Sequence, residues 1–105
     1  MARDKLMSLH VDEVQLSELV AVLQRYAHAA WPPGGSECAQ ASREALLTAA
    51  ETMREGFAAH PGEAQFNRRQ RATFRAALEY HLEQANFQDR HALYTELLNQ
   101  LSTTR

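Results

Sequence analysis

Two breaks constrain this chain more than any other feature. Trp31-Pro32-Pro33-Gly34-Gly35 and His60-Pro61-Gly62 each interrupt a long run of helix-forming residues. Proline cannot sit inside a helix without losing a backbone hydrogen bond, and it disfavours the helical conformation of the residue before it. Between and around these breaks, apolar residues recur every three to four positions, the spacing of one helix face. Leu16, Leu19, Val20, Leu23, Tyr26, Ala27 and Ala30 mark a first helix. It begins near Asp12, with Gln15 placed to complete a capping box. Ser36 is the natural N-cap of a second helix, whose face is Ala39, Ser42, Leu46, Ala49, Ala50, Met53 and Phe57. Gly56 should loosen its last turns.

The second loop is expected to run over 60–66, with a third helix beginning somewhere between 63 and 67. That helix carries Gln70, Phe74, Ala77, Leu78, His81, Leu82 and Ala85 as its buried stripe. A short fourth helix, capped by Asp89, places Leu93, Tyr94, Leu97, Leu98 and Leu101 on one side. Residues 1–11 read as a lead-in: they could be extended, but a lone strand would have no partner. Residues 102–105 read as a frayed polar tail.

Composition supports the same class. Valine occurs four times and isoleucine is absent, whereas Ala, Leu, Glu, Gln and Arg are plentiful. Those are the strong helix formers, and the residues that favour sheets are scarce. The expectation is an all-α single domain over 1–105, a compact three- to four-helix antiparallel bundle. Short loops imply that sequential helices pack antiparallel.

Charge narrows the function. Lys+Arg total 11 against Asp+Glu 13, a net charge of −2, and only Lys5 among the cations is lysine. General nucleic-acid binders are usually distinctly basic. Cys38 stands alone, so no intramolecular disulfide is possible. No apolar run is long enough to span a bilayer. No secretory leader is evident at the start of the chain, so a cytoplasmic location is expected.

The feature with functional promise is Asn67-Arg68-Arg69-Gln70-Arg71-Ala72-Thr73-Phe74-Arg75. Cations at a helix N-terminus oppose the helix dipole, by roughly 0.3–1 kcal/mol each when exposed. Arg68, Arg71 and Arg75 would share one face, with Arg69 beside them. Such a row could hold a carboxylate-rich protein partner or successive phosphates. The structural alternative is neutralisation from within. Glu44, Glu51 and Glu55 form one stripe of the second helix, and antiparallel packing would bring Glu51 and Glu55 to the start of the third.

Other candidates have ordinary explanations. No His-x3-His pair occurs, so no helical metal site is indicated. His81 lies on an apolar stripe and reads as a buried or half-buried histidine with its hydrogen bond satisfied. Cys38 would occupy the first turn of a helix, where a dipole lowers thiol pKa. No base accompanies it in the sequence, so it reads as a small, semi-buried residue. Glu79 and Glu83 read as hydrated surface carboxylates. Trp31 at a helix end either closes the core, the favoured role, or anchors a partner. Tyr80, Phe87, Val14 and Val22 lie off the main stripes. Helices apolar on more than one side often have a second partner, which suggests a homodimer.

The resulting expectation is a non-enzymatic helical protein-interaction module, such as a regulator, adaptor or inhibitor. It would act through a helix face, with Arg68, Arg69, Arg71, Arg75 and Trp31 as candidate contacts. No cofactor, metal or membrane is implied. The alternative is a nucleic-acid-binding regulator using the same arginines. A helix-turn-helix form is disfavoured by the length of the 60–66 loop.

Overall fold

The computed structural model describes residues 6–84 and 91–103. Helix α1 (Glu13–Ala30) starts at the expected capping box: the Gln15 N–H donates to the Asp12 carboxylate at 2.7 Å, and the Asp12 N–H donates to the Gln15 amide oxygen at 2.9 Å. Trp31 ends it, its N–H donating to the Ala27 carbonyl. Helix α2 (Glu37–Ala59) is capped by the Ser36 hydroxyl, which accepts from the Ala39 N–H at 3.1 Å. It runs through Gly56 without a break. Helices α3 (Arg71–Leu82) and α4 (His91–Thr103) complete the helical part. Ser102 and Thr103 therefore belong to α4 rather than to a frayed tail. Ala85, Phe87 and the expected cap Asp89 lie outside the described residues.

The protein is mostly helical, but it is not all-α. Leu6–His10 forms strand β1, which pairs antiparallel with strand β2 (Glu63–Asn67). The lead-in therefore has a strand partner, and the segment expected to form the second loop provides it. Both segments alternate. Met7, Leu9, Ala64 and Phe66 are buried, while Ser8, His10, Glu63, Gln65 and Asn67 are half-buried or exposed. That period of two is the signature of a half-buried strand. Gly62, at φ +96°, supplies the left-handed turn into β2 that a side chain would resist.

The Val11 N–H donates to the Gly62 carbonyl at 3.1 Å, one step beyond the His10–Glu63 pair. Antiparallel pairs alternate between bonded and non-bonded. Leu9–Ala64 and Met7–Phe66 are then the bonded pairs. The backbone groups of Ser8 and His10 turn outward on one edge, and those of Glu63, Gln65 and Asn67 on the other. The Gln100 side chain of α4 fits this phase. Its amide nitrogen donates to the His10 carbonyl at 2.9 Å, and its oxygen accepts from the His10 N–H at 2.8 Å.

The strands change how the helices meet. α1 packs on α2, and α3 packs on α4 and α1. α2 has β2 as its other main neighbour, so the expected α2–α3 antiparallel pair is replaced by α2–β2. The core joins Leu19, Leu23, Leu46, Met53, Leu78, Tyr94 and Leu97 to Leu9 and Phe66 from the strands. Phe66 stacks on Phe74 with ring centroids 4.7 Å apart, which ties the end of β2 to the first turn of α3. Val22, thought to lie off the α1 stripe, is fully buried, because α1 has neighbours on two sides.

Candidate partner-binding corner

The arginine cluster sits where β2 turns into α3. Asn67 closes the strand, and its side-chain oxygen accepts from the Arg69 N–H at 2.9 Å. This caps a single 3-10 turn, Arg68–Gln70, and α3 follows at Arg71. Arg68 and Arg69 therefore precede the α-helix. The expected row of Arg68, Arg71 and Arg75 on one helix face is not formed; only Arg71 and Arg75 lie on α3.

The four arginines have different surroundings. Arg68, Arg69 and Arg75 are exposed, whereas Arg71 is half-buried. The Arg71 guanidinium donates from Nη2 to the Ser102 carbonyl at 3.0 Å. Ser102 lies in the last turn of α4, where unpaired carbonyls concentrate negative charge. A cation disfavoured by the start of one helix is thus welcomed by the end of another. The expected neutralisers are placed differently. Glu51 faces Arg54 of its own helix at 3.6 Å, and Glu55 is exposed.

Arg69 also borders a groove of ≈ 460 Å³ between α2 and β2. Ala45, Thr48, Ala49, Thr52 and Gly56 form its α2 wall, at successive helical intervals. Gln65, Phe66 and Asn67 form the β2 wall, and Leu6, 67% exposed, lies at its side. The sequence reading missed this groove because it placed a loop where β2 runs. The alternation of Glu63 to Asn67 was the available signal.

Trp31 stands at a different junction, between α1 and α2. It is half-buried, packs against the core, and meets Tyr26 edge-on at 6.0 Å. Its carbonyl accepts from Arg43 Nη1 at 3.3 Å. These contacts match the core-closing role rather than a free anchor.

His81 is 1% exposed. Its Nδ1 lies 2.9 Å from the Ala77 carbonyl, which can only accept, so that nitrogen carries the proton. Burial pushes its pKa below the usual value and outweighs the bond to Ala77; Arg25 lowers it further, while Glu18 opposes. Tyr94 approaches the ring edge-on and donates its hydroxyl to Glu18 at 3.4 Å. A neutral histidine held this way ties α3 to α4 and α1.

Cys38 is exposed rather than semi-buried. Among the described residues, no group of three or more His, Cys, Asp or Glu is arranged to hold a metal ion. No helix of the described residues is long and apolar enough to cross a membrane. No family model, curated protein or solved structure matches the chain.

Proposed function

We propose that the chain is a non-enzymatic protein-interaction module that meets its partner at the β2–α3 corner. One observation carries this reading. Two exposed guanidinium groups, Arg68 and Arg69, are held on a capped 3-10 turn, and Arg69 borders an apolar-walled groove. Arg can bind carboxylates through paired hydrogen bonds, which gives such a corner directional selectivity. The rest of the chain is slightly acidic, so local positive charge stands out against it.

The test is charge reversal of Arg68 and Arg69 to Glu together. Both side chains are exposed, and melting measured on the same variant separates loss of the fold from loss of binding. Recovery of a co-purifying protein from extracts of the native host should be lost. Full recovery by the reversed variant would end the proposal.

A nucleic-acid reading has weaker support. The arginines do not form one helical row, and Arg71 is engaged by α4. Binding to a phosphate backbone would weaken steeply with salt. Self-association is supported by the exposure of Leu6 and Val14, both 67%. Sedimentation equilibrium at micromolar concentration tests it, and a monomer throughout would remove it.

A further inference from the structure

We infer that the groove between α2 and β2 takes an extended peptide segment, which pairs with the outer edge of β2 and presents a carboxylate to Arg69. The inference rests on the partner-binding reading above and specifies what the partner offers.

The strand edge is the first ground. The ladder phase turns the N–H and C=O of Gln65 away from β1, and Gln65 lines the groove. The equivalent groups of His10, on the opposite edge, are taken by the Gln100 side chain. On the β2 edge, the Glu63 N–H is taken by the His60 carbonyl at 3.3 Å. The N–H and C=O of Gln65 and the N–H of Asn67, whose carbonyl already begins the 3-10 turn, are therefore the groups an added strand would bond. Exposed sheet edges bind extended peptides in this way, with backbone bonds giving affinity and alternate side chains giving selectivity.

The groove's length is the second ground. From Ala45 to Gly56 the α2 wall extends about 16 Å at 1.5 Å per residue, which matches roughly five extended residues. The small side chains of this wall leave room for those of an incoming strand. A second copy is a poorer occupant, since its own β2 edge is flanked by its own α2.

Charge defines the ligand. Arg69 borders the groove and exposed Arg68 precedes it. Exposed Glu44 and Glu55 lie farther round α2, beyond Thr48. A uniformly acidic peptide would meet repulsion along that rim. The fitting segment has a carboxylate at the Arg69 end and small or apolar side chains at alternate positions.

The probe is a phage-displayed library of linear random peptides selected on the full chain. Enriched sequences should share that pattern and bind as synthetic peptides. Methylating the peptide's backbone nitrogens one at a time should weaken binding by about tenfold at alternate positions only, because alternate amides face β2. This control leaves the protein untouched. Gln65→Pro, tolerable on an edge strand, should weaken binding similarly. Backbone amide resonances of Gln65 and Asn67 should shift on titration.

Insensitivity to every N-methylation, with unshifted Gln65 and Asn67 amides, overturns strand pairing. If Arg68→Glu with Arg69→Glu still abolishes peptide binding in that case, the corner remains a partner site. Peptides that bind without regard to those arginines overturn the corner itself. Failure to enrich any peptide over an undecorated phage control overturns the peptide ligand. A dimer in sedimentation that Gln65→Pro dissociates overturns it in favour of pairing between copies.

Discussion

Replacing Arg71 with Ala should destabilise the protein although the residue belongs to a surface arginine cluster. The substitution deletes the bond from Nη2 to the Ser102 carbonyl, 3.0 Å long and spanning 31 positions of sequence. Hydrogen bonds to charged groups contribute about 1.5–3 kcal/mol, with the lower end appropriate to this solvent-accessible site. Two dipole effects accompany it. Arg71 is unfavourable at the start of α3 and favourable at the end of α4, each by roughly 0.3–1 kcal/mol, so they nearly cancel. The expected loss is about 1–2 kcal/mol, a fall of about 5–10 °C in Tm for a domain of this size. Arg75→Ala, one turn on and exposed, should stay within about 0.5 kcal/mol of the parent. Urea denaturation followed by circular dichroism measures both. Equal stability of the two variants, or an Arg71 variant matching the parent, would show that the α3–α4 tie contributes nothing.

Leu23→Ala and Leu78→Ala, at fully buried positions, should each lose roughly 2–4 kcal/mol by chemical denaturation; a loss under about 1 would contradict their place in the core. Gln100→Ala removes both bonds to His10 and should cost about 1–2 kcal/mol, with faster hydrogen exchange at the His10 amide. Unchanged exchange there would count against the clamp. His81 has a folded pKa below the ordinary histidine value of 6.5, so the unfolded chain binds more protons just below that pH. Its contribution to stability is complete above about pH 6.5 and declines as pH falls towards the folded pKa. The difference between parent and His81→Gln denaturation curves isolates this effect from the carboxylates, and a difference independent of pH would refute it.

Helices were legible because their signals are local. Asp12 with Gln15, and Ser36 before Glu37, satisfy donors within one turn. The 3.6-residue period then selects the buried face with no knowledge of the partner. That period alone points Leu19, Leu23, Leu46, Met53, Leu78, Tyr94 and Leu97 into the core, where all seven are buried. His81 was equally legible, as a histidine on an apolar stripe. Cys38 was not, since the first turn of α2 faces outward.

Strand pairing depended on residues 57 positions apart at its midpoint, Ser8 and Gln65, and no local pattern specifies that encounter. Each strand alone is too short to be stable and gains its hydrogen bonds only when the helices bring the two together. The same separation explains the arginines. Sequence placed a cluster of like charge against a helix dipole and required a counterpart. Only the folded chain decided that α4 supplies it to Arg71 through Ser102, and that Arg69 stands beside a groove. Capping and periodicity act within a few residues of one segment, whereas the β2 edge and the charge balance of the corner arise from segments that meet only when the chain is folded.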